Sequence, residues 1–260
     1  MNKDIYVYII ICLIIALIIQ KKYIAKENFS ANFLRYTKLD HSSYGTIYTF
    51  GDTEAISKSI STLDNNIWED HICQIFAENY IPGTDAVDIG ANLGLNSIRM
   101  NQLNPITSGN KIHLFEPQHD VFSLLEYNTR DLQRKLYNFA LSDTCKILNF
   151  NPVESNMGGT SMISDINQNN VHILATKLDN IQFDNPVSVV KLDVEGGEAG
   201  TLQGGLTFFN THKPTLIIEI WKDKLPEVLP ILANMNYVQI WNNLDDYIFK
   251  HRNKIYNSPS

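Results

Sequence analysis

The sequence predicts an α/β protein built on a doubly wound, mostly parallel sheet with an antiparallel hairpin at one edge. Apolar runs of strand length alternate with helical patterns along the chain, which is typical of doubly wound sheets. Residues 187–192 and 216–220 are almost entirely apolar, as expected of parallel strands that are buried on both faces. Residues 237–241 and 247–250 are separated by a short polar stretch, which indicates a terminal hairpin.

The other elements follow from apolar periodicity and turn residues. A helical pattern over residues 63–79 ends at Pro82 and Gly83, where the first strand of the core begins. The elements beyond that strand are a helix at 97–103, a strand at 111–115, a helix with Val121, Leu125, Leu132 and Leu136 on one face, and strands at 138–141, 146–150 and 171–175.

Composition limits the class of protein. The chain has 260 residues, of which 44% are hydrophobic and 19% charged, and this suits one sizeable α/β domain with accessory segments. A formal net charge of -7 argues against a nucleic-acid partner, because binding to phosphates needs a basic face. Cys12, Cys73 and Cys145 have neither disulfide nor zinc spacing and are expected to be small buried hydrophobic residues.

The N-terminus predicts a membrane anchor. Residues 5–19 carry no charge and are mostly isoleucine and leucine. A bilayer span needs ~20 residues, and snorkelling of Lys21 and Lys22 extends this one to residue 25. A cleaved signal peptide is the alternative. Lysines after the segment outnumber the positive groups before it, which places the main domain in the cytosol.

The sequence therefore divides into four parts. They are a transmembrane anchor at 1–25, a linker and helical lead-in at 26–80, the main domain at 81–251 and a tail at 252–260.

A glycine-rich loop follows the first core strand. Residues 86–96 place Asp88, Gly90, Asn92 and Gly94 where a strand must turn into a helix. Small residues at such a turn allow a ligand to approach the backbone. A dinucleotide fingerprint would need glycines at 90, 92 and 95, and the last two are absent. The spacing is instead similar to the first motif of class I S-adenosylmethionine (SAM) methyltransferases, in which the acid serves the methionine half of the cofactor.

Two more acids follow predicted strands. Glu116 closes the second strand at a place where nucleotide-binding α/β folds use an acid to accept hydrogen bonds from ribose hydroxyls. Asp143, just beyond the third strand, lies near the expected position of the adenine, and a turn residue is the equal alternative.

The second concentrated signal is the run at residues 191–198. Asp193, Glu195 and Glu198 place three carboxylates at the end of a buried strand, the edge where open α/β sheets bind ligands. Like charges this close need a cation, a positive partner or a helix start to balance them. Capping of the next helix accounts for Glu198 but not for the other two.

Taken in order, these motifs resemble the FkbM-type methyltransferases. The resemblance spans roughly residues 82–221 and rests on the runs at 87–94, 115–117, 158–161, 177–180 and 191–198, followed by Leu202 and Gly204. It implies a class I methyltransferase sheet of seven strands, SAM as cofactor, and methylation of hydroxyls on sugars and polyketide-like natural products. The chain departs from the family in Gly200, which weakens a helix, and in its N-terminal anchor.

The function predicted from these motifs is SAM-dependent O-methylation of a glycan, glycolipid or other secondary metabolite. We assign Glu195 as general base and Asp193 as a positioning group, because residues i and i+2 of an extended segment face the same way. Glu219 is a possible third carboxylate, and with Asp193 it could bind a divalent cation such as Mg²⁺. The alternatives are a degenerate methyltransferase fold acting as a membrane scaffold and an NAD-dependent oxidoreductase.

Overall fold

The computed structural model describes residues 36–51, 55–62, 67–150 and 171–255. The predicted anchor at 1–25 and the loop at 158–161 lie outside these residues. Within the described ranges, every helix is too short or too polar to span a bilayer. Of the predicted tail, residues 252–255 form a short helix, and the remainder lies outside the described ranges.

The secondary structure alternates between strands and helices from residue 85 onward. The strands are β1 Thr37–His41, β2 Gly45–Thr49, β3 Asp85–Ile89, β4 Ile112–Phe115, β5 Arg134–Tyr137, β6 Ala140–Leu141, β7 Lys146–Phe150, β8 Val171–Thr176, β9 Val187–Leu192, β10 Thr215–Glu219, β11 Tyr237–Asn243 and β12 Asp246–His251. The helices are α1 Ala55–Thr62, α2 Asp70–Asn79, α3 Leu95–Leu103, α4 His119–Asn128, α5 Glu198–Gly204, α6 Leu206–His212, α7 Leu225–Asn234 and α8 Arg252–Ile255.

The central sheet has seven strands in the order β11-β12-β10-β9-β3-β4-β5. The pairs from β10 through β9, β3 and β4 to β5 are parallel, whereas β12 pairs antiparallel with both β10 and β11. The predicted mostly parallel, seven-stranded sheet with a C-terminal antiparallel hairpin is therefore confirmed. A small sheet, β6-β8-β7, and the β1-β2 hairpin are separate from it.

The middle of the sheet is covered on both faces. All residues of β3 and β9 are buried, which explains why four of the six residues of β9 are valine or leucine. Val189 packs in a cluster with Met100 and Leu125, whereas its neighbour Val190 packs in a second cluster with Phe209. Successive side chains of a strand point to opposite faces, so one strand contributes to both clusters.

The lead-in segment contains more structure than the sequence predicts. A linker is expected within residues 26–60, yet their described part contains the β1-β2 hairpin and α1. The Asn128 amide fixes the hairpin to α4, because its Oδ1 accepts from Tyr48 N at 2.7 Å and its Nδ2 donates to Tyr48 O at 3.0 Å. Residues 63–66 of the helix predicted from residue 63 lie outside the described residues, and the described helix begins at Asp70, after Glu69 with its left-handed backbone (φ 47°).

A second correction concerns residues 121–141. The apolar positions at Val121, Leu125, Leu132 and Leu136 predict one helix, but α4 ends at Asn128 and Leu136 belongs to β5. An apolar residue every fourth position also suits a helix followed by a half-buried strand, so periodicity alone does not separate the two. The strand predicted at 138–141 shortens to β6, which pairs with β8 rather than with the central sheet.

Candidate active site

The loop after β3 has a backbone that needs glycine at position 90. Gly90 and Asn92 have φ angles of 82° and 50°. A Cβ on Gly90 would lie 1.7 Å from the carbonyl oxygen of Asp193, because the ends of β3 and β9 meet there. The Asp193 N–H donates to Ile89 O at 3.0 Å across the same junction. The absence of a side chain at Gly90 therefore allows the glycine-rich loop and the acidic run at residues 191–198 to contact each other.

Gly94 has a different reason to be glycine. Its φ is 83°, and a Cβ would meet Thr129 Cγ2 at 2.5 Å and Leu125 Cδ1 at 2.8 Å. The position thus allows α3 to start close against α4. Close packing of the two helices accounts for this glycine without a ligand.

A cavity of about 290 Å³ opens at the carboxyl edge of the sheet. It brings together most of the residues predicted from the two motifs. Its lining includes Gly90, Asn92, Glu116, Lys191, Asp193, Glu195 and Glu219, together with Ala55, Ile56, Trp68, Glu69, Ala91, Asn96, Pro117 and Val194.

Glu116 lies on the cavity wall at the end of β4, as predicted. Its Oε2 accepts from the backbone N–H of Asn92 at 3.1 Å, and its Oε1 accepts from that of Gln118 at 2.8 Å. Burial raises its pKa to about 7, against the lowering effect of these two backbone donors. Each carboxylate oxygen can accept a second hydrogen bond, so Glu116 can bind a hydroxyl in the cavity.

An apolar slot of about 30 Å³ lies beside the main cavity and shares Gly90, Pro117 and Val194 with it. Its other walls are Ile89, Phe115, Phe139, Ala140, Leu141, Leu148 and Gly197. The surface next to Glu116 is therefore apolar on this side.

Asp88 lies behind the cavity wall rather than on it. The side chain is fully buried, accepts from the Ser97 hydroxyl and has no partner for Oδ1 among the described residues. Burial raises the pKa of this carboxyl, and the nearby Lys191 charge opposes that rise. In this position Asp88 fixes the start of α3 and helps to balance the buried ammonium of Lys191.

Asp143 is also placed apart from the cavity. Its carboxylate accepts from Lys146 Nζ at 2.8 Å and from Ser142 Oγ at 2.9 Å, and hydrogen bonds from these two groups lower its pKa. It lines neither the cavity nor the apolar slot. These contacts match the turn-residue alternative, and its role near an adenine stays a prediction.

Lys191 is the cation that makes the crowded carboxylates possible. This buried side chain in β9 donates from Nζ to Asp193 Oδ2 at 3.0 Å. Burial would lower its pKa, but the charges of Asp193, Asp88 and Glu69 outweigh burial and raise it. Burial likewise opposes ionisation of Asp193, yet the Lys191 charge and hydrogen bonds from Glu219 and Lys191 lower the pKa of that carboxyl.

Glu219 and Asp193 form a hydrogen-bonded carboxyl pair. Burial, followed by the charge of Asp193 and the hydrogen bond to it, raises the pKa of Glu219 to about 9. At neutral pH Glu219 is therefore protonated and donates to the ionised Asp193. The described residues contain no group of three or more His, Cys, Asp or Glu side chains that could hold a metal ion, so this arrangement gives the predicted Mg²⁺ no support.

Glu195 and Glu198 differ in what they contact. Glu195 lines the cavity with a left-handed backbone (φ 55°), and burial, then the charges of Asp193 and Glu198, raise its pKa to about 7. Glu198 is buried at the start of α5, where its Oε1 accepts from Gly196 N at 2.9 Å. This agrees with the predicted division between a cavity residue and a helix-terminal residue.

Several lining residues are not assigned to the site by the sequence, among them Trp68, Glu69 and Asn96. Trp68 is part of an apolar helical pattern there, and no local motif gives Glu69 or Asn96 a role. The Nδ2 of Asn96 donates to Glu69 Oε2 at 3.0 Å, across 27 positions of sequence. Nothing local marks this pair, because it forms only when α2 packs on α3.

Doubly wound sheets bind nucleotide-like ligands outside the carboxyl ends of their strands, where this cavity opens. With its glycine loop, the acid after β4 and the antiparallel last hairpin, the chain falls into the class of SAM-dependent methyltransferases. It belongs to the FkbM methyltransferase family: the methyltransferase FkbM domain matches residues 88–239, more than half of the chain. No curated protein matches the chain.

Solved structures are similar to this chain at low sequence identity. The FkbM methyltransferase from Methylobacillus flagellatus KT is 16% identical with a TM-score of 0.48, and the match covers 68% of this chain and 50% of that one. Precorrin-6y C5,15-methyltransferase from Geobacter metallireducens GS-15 is 13% identical (TM-score 0.42, covering 71% and 90%). A Streptococcus mutans protein in complex with SAH is 8% identical (TM-score 0.42, covering 69% and 94%). The chain thus spans about half the length of the Methylobacillus protein.

Proposed function

We propose that this methyltransferase transfers the methyl group of SAM to a hydroxyl of a glycan, glycolipid or other secondary metabolite. Glu195 is the general base and Asp193 the positioning group. The observation that carries this proposal is a single cavity at the carboxyl edge of the sheet. Its five lining carboxyl groups, Glu69, Glu116, Asp193, Glu195 and Glu219, include the two residues assigned to the reaction. The Lys191 charge lowers the pKa of Asp193 against the effect of burial, whereas burial and the charge of Asp193 raise the pKa of Glu219 to about 9 and that of Glu195 to about 7.

The residues present fit the cofactor. Glu116 has acceptor capacity left for ribose hydroxyls, and the residues around the slot beside it are apolar, as an adenine binding region requires. The acidic wall formed by Asp193 and Glu195 favours a positively charged sulfonium. When bound, SAM supplies an electrophilic methyl group on a cationic sulfur.

Glu195 is suited to accept the proton of the acceptor. An alcohol is a weak nucleophile, so a base must take its proton as the oxygen attacks. A general base works best with a pKa near the working pH, and burial together with Asp193 brings Glu195 to that range. Asp193 is held ionised by Lys191 and is therefore a fixed acceptor that can orient the hydroxyl.

Replacement of the base is the direct test. We expect Glu195→Gln to bind SAM and to melt like the wild type, while methyl transfer slows by ~10²-fold or more. Isothermal titration with SAM and S-adenosylhomocysteine measures binding, and release of S-adenosylhomocysteine with an acceptor panel measures turnover. Glu227→Gln is the matched control: this exposed residue of α7 does not line the cavity, so the rate should remain.

The outcomes separate the candidate functions. A wild-type rate in Glu195→Gln contradicts the base assignment. Cofactor binding without turnover on any acceptor favours the scaffold alternative. Binding of a nicotinamide cofactor instead of SAM favours an oxidoreductase.

We also propose that residues 1–25 attach the enzyme to a membrane with its catalytic domain on the cytosolic side. The support is the uncharged run at 5–19 and the lysines that follow it. Protease digestion of sealed vesicles tests this: protection of the region around Trp221 on vesicles with an exposed cytosolic face contradicts the orientation.

A further inference from the structure

Glu69 has an unusual backbone for its position. It precedes α2 at the N-cap with φ 47° and ψ 43°, in the left-handed region. For a residue with a Cβ this conformation is strained. N-caps favour Ser, Thr, Asp or Asn because those side chains accept from the first helical N–H groups. The Glu69 side chain makes no such cap, so hydrogen bonding to the helix does not account for its carboxylate.

Hydrogen bonds fix the backbone of Trp68 and Glu69 at the start of α2. Trp68 N donates to the Tyr44 hydroxyl at 2.9 Å, and the Cys73 thiol donates to Trp68 O at 3.5 Å. The N–H groups of Ile72 and Cys73 donate to Glu69 O at 2.8 and 3.0 Å. As a result, Trp68 and Glu69 both line the cavity.

The Glu69 carboxylate lies toward the proposed base. Asn96, itself buried on the cavity wall, donates to Oε2 of Glu69 at 3.0 Å. The negative charge of Glu69 is also one of the causes that raise the pKa of Glu195. The side chain of Glu69 therefore belongs to the part of the cavity where the acceptor hydroxyl must lie.

The charge of the wall limits what this part of the cavity can bind. Among its described lining residues Lys191 is the one cation, and it is engaged by Asp193. Carboxylates accept hydrogen bonds from hydroxyls but repel anions. A positively charged acceptor would be repelled by the sulfonium of the cofactor in the same cavity. A neutral ring rich in hydroxyls suits both limits, and the Trp68 indole adds an apolar surface for its C–H faces.

We infer that Trp68, Glu69 and Asn96 form the acceptor subsite and select a neutral, polyhydroxylated ring of the sugar class over its anionic counterpart. This inference rests on the proposed function. Glu69 accepts a hydrogen bond from a hydroxyl of the ring, Asn96 holds the carboxylate in position, and Trp68 packs against the ring.

The test is binding of matched glycosides to the full chain loaded with S-adenosylhomocysteine. The probes are neutral methyl glycopyranosides of glucose, galactose and mannose, the corresponding methyl uronates, and methyl glucosaminide, followed by saturation-transfer NMR and titration. We expect a neutral probe to bind and its uronate to bind at least about tenfold more weakly, since tenfold corresponds to ~1.4 kcal/mol of charge repulsion.

Variants connect the selectivity to these residues. Glu69→Gln should reduce the discrimination against uronates, and Trp68→Ala should weaken neutral glycosides by about tenfold or more. Glu69→Gly should keep the wild-type thermal midpoint, because glycine relieves the left-handed backbone, yet lose glycoside binding. All three variants should keep the affinity for S-adenosylhomocysteine. Asp70→Asn is the matched control, since Asp70 contacts Gln74 and Arg99 and does not line the cavity.

Several results overturn the inference while leaving the proposed function intact. They are equal or tighter binding of the uronates, tighter binding of methyl glucosaminide, no binding of any neutral glycoside, and wild-type glycoside affinity in the Trp68 and Glu69 variants. Failure of the wild type to bind S-adenosylhomocysteine is a different result, and it removes the proposed function itself.

Discussion

Glu195, Asp193 and Glu219 share one cavity wall but hold their protons differently. The Lys191 charge lowers the pKa of Asp193 against the effect of burial, whereas burial and the charge of Asp193 raise the pKa of Glu219 to about 9 and that of Glu195 to about 7. Burial and one buried ammonium together thus separate the pKa values of these three acids. Carboxyl groups with different environments can take different roles in one reaction.

This ordering predicts a pH dependence of the rate. The pKa of Glu195 is raised to about 7, so the base is mostly protonated below pH 7 and mostly ionised above it. We expect the rate of methyl transfer with saturating cofactor and acceptor to rise with pH and to level off above about 7 to 8. The same profile in Glu195→Gln should lose this rise. A wild-type rate that falls between pH 6 and 8 would contradict the role of Glu195.

At the scale of elements, the junction of β3 with β9 tolerates no side chain at position 90. We expect Gly90→Ala to be destabilised by several kcal/mol, because its Cβ would overlap the Asp193 carbonyl and push the two strand ends apart. Gly109→Ala is the matched control: Gly109 has φ 88° and open space within 4 Å of the position that a Cβ would take, so strain alone should cost ~1–2 kcal/mol.

Thermal melts followed by circular dichroism compare the two glycine variants. Equal losses of stability would show that contact with Asp193 adds nothing to backbone strain. Titration with S-adenosylhomocysteine on any folded Gly90→Ala protein checks whether the cavity survives the change.

Elements whose residue pattern lies within one short segment can be predicted from the sequence. The apolar run of β9 and the strand-to-helix turn at Gly90 can be recognised within ten residues, and the structure has both. Leu132 and Leu136 are wrongly assigned to a helix because apolar spacing is shared by helices and half-buried strands. Trp68 and Glu69 could not be assigned to the cavity, because their position depends on the packing of α2 against α3 and on a left-handed backbone at a glutamate.

At the scale of the whole molecule, buried acids make stability depend on pH. The pKa of Glu219 is about 9 in the folded protein and 4.5 ordinarily. Between pH 4.5 and about 9 the folded protein therefore holds a proton on Glu219 that the unfolded chain has released. The contribution of this proton to the free energy of unfolding is complete below pH 4.5 and is lost as the pH rises to about 9. We expect the melting temperature of the ligand-free protein to fall from pH 7 to 9. Burial lowers the pKa values of His212 and His251 from 6.5, so these two groups change the stability only at pH values below about 7.

Glu219→Gln provides the comparison for this pH dependence. An amide keeps a donor for Asp193 without titrating, so the fall in melting temperature from pH 7 to 9 should become smaller. Differential scanning calorimetry at several pH values measures both proteins. A melting temperature that rises over this range in the wild type would show that another group dominates.

The order of strands also constrains how the chain is made. β9 lies between β3 and β10, and Asp88 is opposite Lys191 although the two are about a hundred positions apart. A nascent chain that has not yet reached β9 exposes one whole edge of β3 and leaves Asp88 without the ammonium that faces it. The cavity at the carboxyl edge is therefore among the last features to assemble during synthesis, and the first half of the domain must stay soluble on the ribosome without it.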